Sequence, residues 1–173
     1  MDLKKIIRNI PDFPKKGVVF RDITPLLADP KAFRFAVDQM SGHYREAEID
    51  LILGAEARGF VFGATMAYKL GTGFIPVRKP GKLPYTICSV SYSLEYGENI
   101  LEMHIDAIDP GDKVLIVDDL AATGGTAKAK ADLVEQRGGK VMGFCFLIEL
   151  EFLNPRKLLQ GYDVFSLIKY ESE

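Results

Sequence analysis

Cysteine is scarce in this chain. Cys88 and Cys145 are the two present in 173 residues, they show no metal-ligand spacing, and both lie in strand-like runs. A cysteine-based metal site is not indicated, and reduced thiols in a cytoplasmic protein are the expectation. Long apolar runs are missing as well. None reaches the length of a membrane span, so no membrane partner is expected. The first residues, MDLKKIIRNI, hold neither a signal-peptide core nor a cleavage pattern, so no targeting segment is expected. There is no internal repeat and no low-complexity tract. Neither sign of charge dominates: 22 Lys and Arg against 24 Asp and Glu leave a net charge of −2. That balance argues against a broad nucleic-acid footprint, and no nucleic-acid partner is expected. What remains is most simply one domain over 1–173, large enough to bury a full core.

The chain is organised around Lys113 to Lys128, KVLIVDDLAATGGTAK. Val114 to Val117 is a short β-branched run and reads as a strand buried on both faces. Asp118 and Asp119 follow, then small residues from Ala121 to Gly125, then Thr126, which can cap a helix. Ala127 to Arg137 are good helix formers, stopped by Gly138 and Gly139. A strand that turns through a small-residue loop into a helix aims free backbone N–H groups and the helix dipole at one point. That is an anion site, and phosphate is the usual anion. Side chains in the loop would block the approach of backbone to phosphate, so the glycines have a use.

A carboxylate beside a phosphate is repulsive unless it has another task. Asp118 and Asp119 could accept hydrogen bonds from sugar hydroxyls or face a divalent metal on the same ligand; a sugar phosphate satisfies both. Other phosphate loops fit worse. A Walker loop needs GK[ST], but TGGT is followed by Ala127, and Lys128 falls one place late. A dinucleotide loop needs GxGxxG with its acid downstream.

Along the rest of the chain, residues 2–9 read as a short amphipathic helix with Leu3, Ile6 and Ile7 on one side. Prolines at 11, 14, 25 and 30 punctuate the next stretch, where Phe20 could either plug the core or stack on a flat heterocycle. Asp29 and Pro30 start a helix to about Arg45, with Phe33, Val37 and Met40 inward; His43 is a surface or packing residue. Asp50 to Leu53 is a strand and Phe60 to Leu70 a helix. The loop Ala55 to Gly59 repeats the anion-site logic, with Arg58 in it; the other reading of Arg58 is a surface ion pair. Gly73 to Val77 is a strand, and Arg78, Lys79 and Lys82 crowd its end. Residues 86–105 alternate as a hairpin turning near Gly97, which could open and close as a lid. Glu95 and Tyr96 stand at that turn. Residues 140–150 form a core strand, 151–160 a loop or short helix around Pro155, and 162–168 a last strand near an edge. Strands alternating with helices make an α/β fold with a mainly parallel central sheet flanked by helices.

The string VLIVDDLAATGGT resembles the signature of the type I phosphoribosyltransferases, which bind 5-phosphoribosyl 1-pyrophosphate (PRPP). IPDFPKKGVVFRDITPLL is similar to the N-terminal segment of the adenine-specific members, with Ile10 where Phe is frequent. SLEYG at Ser93 to Gly97 and the string RKPGKLP from Arg78 are similar to theirs too. The resemblance covers nearly the whole chain. It implies transfer of the phosphoribosyl group from PRPP to adenine, giving AMP and pyrophosphate.

Carried over residue by residue, it implies that residues 1–30 form a hood over the purine. Val19 would meet the adenine edge through its backbone, Phe20 would stack on the ring, Arg21 would help order the site, and Leu120 would complete the adenine side. Asp118 and Asp119 would hold the ribose hydroxyls, while Ala122, Thr123, Gly124, Gly125 and Thr126 would cradle the 5′-phosphate. Ala57, where Ser is common, and Arg58 would bind pyrophosphate through a loop that often carries a cis peptide. Arg78, Lys79 and Lys82 would offset its charge. Residues 80–105 would be the flexible lid, with Tyr96 in it and Glu95 as general acid/base. Mg2+ is implied as a cofactor carried by PRPP, with no direct protein ligand. A homodimer is implied, with Arg58 able to act across its interface. Two rivals stay open: a different base, such as a 6-oxopurine, and a PRPP-sensing regulator that has lost the chemistry.

Overall fold

The computed structural model describes residues 1–94 and 97–173. Leu3–Lys5 makes one 3-10 turn, with the Asp2 side chain accepting from the Lys4 N–H. The helix expected over residues 2–9 is thus cut short: Arg8–Ile10 (β1) pairs antiparallel with Phe20–Asp22 (β2). An eight-residue helix is too short to hold itself. Pro11 also biases Ile10 toward extended backbone, and β2 offers hydrogen-bond partners. Leu3 and Ile7 are still buried, so the amphipathic pattern was sound and the backbone form was not.

Thr24–Ala28 (α1) and Pro30–His43 (α2) follow. The Asp29 carboxylate accepts from the N–H groups of Lys31 and Ala32, as its place before Pro30 requires. His43 stacks on Phe165 with ring centroids 4.2 Å apart, a packing role. Then come Leu51–Ala55 (β3), Arg58–Leu70 (α3) ended by Gly71 in the left-handed region, and Gly73–Val77 (β4). Ile87–Leu94 (β5) and Gly97–His104 (β6) form the antiparallel hairpin. Lys113–Ala121 (β7), Gly125–Gln136 (α4), Lys140–Leu150 (β8) and Val164–Tyr170 (β9) complete the chain. Two 3-10 turns, Glu151–Leu153 and Pro155–Lys157, occupy the stretch around Pro155.

The central sheet is parallel throughout, in the order β4-β3-β7-β8-β9. Alternate residues of β7 feed opposite cores. Leu115 and Val117 pack with Phe62 and Met66 of α3 and Val37 and Met40 of α2. Val114 and Ile116 pack with Ala131, Leu133 and Val134 of α4. The run expected to be buried on both faces is buried on both faces. The hairpin is not isolated at its base. Val90, Leu101 and Met103 belong to the α4-side core, and Arg78 and Glu102 exchange backbone hydrogen bonds at 3.0 and 2.8 Å.

The order of strands locates a crevice. From β3 the chain proceeds to β4 on one side; from β7 it proceeds to β8 and β9 on the other. Ligands of open parallel sheets bind beyond the carboxyl ends of the strands where that direction reverses. The loops after β3 and β7 therefore face each other across the switch point.

Candidate active site

A cavity of about 280 Å3 opens at that point. Ala55 to Arg58 at the end of β3 and beyond it, Val77 to Lys79 at the end of β4 and beyond it, Asp118 to Gly124 from the last residues of β7 into its loop, and Thr126, Ala127 and Lys130 of α4 line it. Tyr92 and Leu101 of the hairpin close one side.

Two helices begin at its wall. Ala57 precedes α3 and Gly124 precedes α4, and neither helix has a side-chain cap hydrogen bond. Their first N–H groups are left without intrahelical partners, and both dipoles direct positive charge at the cavity. Thr126, expected as a cap, is instead the second residue of α4. Its hydroxyl donates to the Tyr92 hydroxyl at 3.1 Å. Gly124 takes the turn at φ +88°, where a Cβ would stand 2.5 Å from the Pro155 carbonyl oxygen. A glycine therefore meets both the left-handed backbone and the close approach. The Glu56–Ala57 peptide, just before α3, is cis.

The acids are not free. Asp119 is 5% exposed, and its carboxylate meets Arg58 Nε at 3.0 Å. Burial and the neighbouring Asp118 charge push the Asp119 carboxyl up to about 7, with Arg58 and Lys130 acting in the opposite direction. Asp118 Oδ1 accepts from the Asp119 N–H at 3.0 Å, and Oδ2 accepts from Lys130 Nζ at 2.5 Å. Gly59 packs against this acid: a Cβ there would be 2.6 Å from Asp118 Oδ1. Arg58 is thus an ion-pair partner inside the site rather than on an outer face. Its guanidinium carbon also lies 5.2 Å from the Phe20 ring centroid.

Among the other sequence-selected residues, Arg78 makes two hydrogen bonds to Glu56, at 2.9 and 2.8 Å, which hold the Glu56 carboxyl below its ordinary value. Lys79 lines the cavity, Lys82 is exposed, and the Lys82 carbonyl accepts from Arg78. Val19 and Phe20 are half-buried and do not line the cavity; Phe20 adjoins it only through Arg58, and Phe13 meets Phe20 edge-on at 5.2 Å. Arg21 points away from the cavity. It donates to Asn9 Oδ1 at 2.6 Å and lies 4.1 Å from the Tyr170 ring centroid, tying the N-terminal hairpin to β9. Leu120 lines the cavity. Glu95 and Tyr96 lie outside the described residues.

Three polar side chains in the cavity lining escaped the sequence reading: those of Glu56, Tyr92 and Lys130. Lys130 did leave a signal. Ala127, Lys130, Ala131 and Val134 share one helical stripe, and all are buried. Among the described residues no group of three or more His, Cys, Asp or Glu side chains is arranged to hold a metal ion. Each aspartate already faces a cation, so the donors suit a divalent ion only as cargo on a ligand's own oxygens.

An acid pair and two uncapped helix N-termini meet at the sheet's switch point, an arrangement suited to a sugar that carries anionic groups at two places. In agreement, the family model for the phosphoribosyl transferase domain matches residues 25–168. The chain is 61% identical over 170 residues to adenine phosphoribosyltransferase of Thermosipho melanesiensis, covering 98% of this chain and 97% of that protein. The crystal structure of adenine phosphoribosyltransferase from Thermoanaerobacter pseudethanolicus matches with a TM-score of 0.96 and 56% identity, over 98% of each chain. The Saccharomyces cerevisiae enzyme, complexed with adenine and an imino-altritol bisphosphate, matches with a TM-score of 0.91 and 42% identity, over 96% of each chain. The chain belongs to the adenine phosphoribosyltransferase family.

Proposed function

We propose that this chain transfers the 5-phosphoribosyl group from PRPP to adenine, giving AMP and pyrophosphate in purine salvage. The observation that carries the proposal is the meeting of Asp118 and Asp119 with the uncapped start of α4 at one cavity. The carboxylates accept from the ribose 2′- and 3′-hydroxyls, and the N–H groups from Ala122 to Thr126 receive the 5′-phosphate. The start of α3, with Ala57, Arg58, Arg78, Lys79 and Lys82, receives the pyrophosphate. Adenine lies beside Leu120 under the hood of residues 1–30, against Phe20 and the backbone of Val19. Arg21 orders that hood through Asn9 and Tyr170.

In the reaction, adenine N9 forms a bond to the ribosyl C1′ as the bond from C1′ to pyrophosphate breaks. Glu95 takes the proton from N9, and the lid over residues 80–105, with Tyr96, excludes water from the oxocarbenium-like centre. Positioning and preorganised charge supply most of the acceleration. Bound with PRPP and without a direct protein ligand, Mg2+ would supply charge neutralisation to the pyrophosphate, alongside Arg58, Arg78, Lys79 and Lys82. The protein acts as a cytoplasmic homodimer, and Arg58 serves either its own site or the neighbour's. Among the described residues no helix is long and apolar enough to cross a membrane.

Labelled adenine with PRPP and Mg2+, assayed with and without chelator beside a panel of other bases, tests the proposal. AMP formation that the chelator abolishes is expected; turnover of hypoxanthine but not adenine would reject the assignment. Glu95→Gln is expected to lower turnover well beyond any change in PRPP affinity, and wild-type turnover would remove its proton-transfer role.

A further inference from the structure

Lys130 stands in the cavity wall and is fully buried, yet its neighbours on the inward stripe of α4 are Ala127, Ala131 and Val134. An ammonium is poorly placed in such company unless it is paired. Buried ion pairs are also weak evidence for stability, because apolar residues of similar volume often serve as well. The partner points to a different reason. Lys130 Nζ donates to Asp118 Oδ2 at 2.5 Å, while the Asp119 N–H holds Asp118 Oδ1 at 3.0 Å. The carboxylate is gripped from both ends, which fixes its orientation in the cavity. Asp119 has a separate counter-ion in Arg58, whose side chain is 39% exposed, whereas that of Lys130 is fully buried.

We propose that Lys130 is a positioning residue for sugar recognition: it clamps Asp118 and offsets its charge, so that two adjacent acids accept from the ribose hydroxyls together. The inference rests on the ribose-hydroxyl role of the acid pair. When pyrophosphate draws Arg58 away, Lys130 stays in place, because α4 and the sheet enclose it. Two neighbouring carboxylates without that cation would repel each other, and Asp118 would lose its fixed direction. Lys130 touches no substrate atom and acts through Asp118.

Calorimetric titration with AMP and with 2′,3′-dideoxy-AMP, both in chelator, tests this without metal. Wild type is expected to bind AMP more tightly than the dideoxy compound. Lys130→Met is expected to weaken AMP by about tenfold or more, the usual effect of losing a hydrogen bond to a charged group. The dideoxy compound, which has no hydroxyls to offer, is expected to bind wild type and variant alike. Equal weakening of both ligands would mean general damage to the site and would overturn the proposal, as would an unchanged AMP affinity. A wild type that does not distinguish the two ligands would instead reject the ribose-hydroxyl role, and this inference with it. If Lys130→Met does not fold, Lys130→Gln keeps a donor toward Asp118 and removes the charge. It should show a smaller loss that is still confined to AMP, and a loss shared by both ligands would again overturn the assignment.

Discussion

Asp119 carries the clearest consequences for single residues. Burial raises its carboxyl from 3.8 to about 7 in the folded protein. Between those values the folded state keeps a proton that the unfolded chain has released. Stability contributed here therefore falls as pH rises from about 4 to about 7, and the whole penalty is present above 7. Asp119→Asn removes the ionising group. It should raise the thermal midpoint at pH 8 by roughly 3 °C, the shift made by about 1 kcal/mol in a domain of this size, and change it little at pH 4. The same variant should bind AMP about tenfold more weakly at pH 8, where the charged acceptor is lost. Calorimetry at the two pH values checks both effects; a midpoint gain equal at pH 4 and pH 8 would contradict the buried-acid account. The pair Asp118-Asp119 was legible in the sequence because two acids before a glycine loop have few other uses. The Arg58–Asp119 ion pair was not, because it joins residues far apart in the chain that only the β3–β7 pairing brings together. Lys130 lay between these cases: its place on an apolar stripe was visible, its partner was not.

At the scale of elements, the start of α4 shows how a distant contact decides what local preference leaves open. Thr126 stands just before the run of good helix formers and could cap it about as well as a glycine. The helix starts after Gly124, because the turn needs φ +88° and Pro155 presses against it. Gly124→Ala would meet both obstacles and should cost about 2 kcal/mol through backbone strain, besides weakening AMP by displacing the N–H groups proposed to receive its phosphate. Chemical denaturation and AMP titration of the variant measure the two losses; an unchanged AMP affinity would detach that turn from phosphate binding. The N-terminal segment gives the opposite lesson. Its apolar pattern was read correctly as one buried side, but its backbone form depended on β2, ten residues on. The hairpin was legible by alternation. Its anchoring to α4 and to Arg78 was not, since alternation says which side is apolar and not what covers it.

For the whole molecule, β7 joins two cores. Leu115 faces one and Ile116 the other, both fully buried. Leu115→Ala and Ile116→Ala should each lower stability by about 3 kcal/mol. Since one strand links both faces, fluorescence and circular dichroism should still report a single coincident transition; separate transitions would show that the cores melt independently. The succession of strands and helices, and the kinds of groups at each strand end, were present in the residues themselves, because periodicity, caps and breakers act over a few neighbours. Strand order, the pairing of each acid with its base, and the facing of two helix ends across one cavity were settled by packing. Those relations join segments far apart in the chain, and no short-range rule specifies which of them will meet.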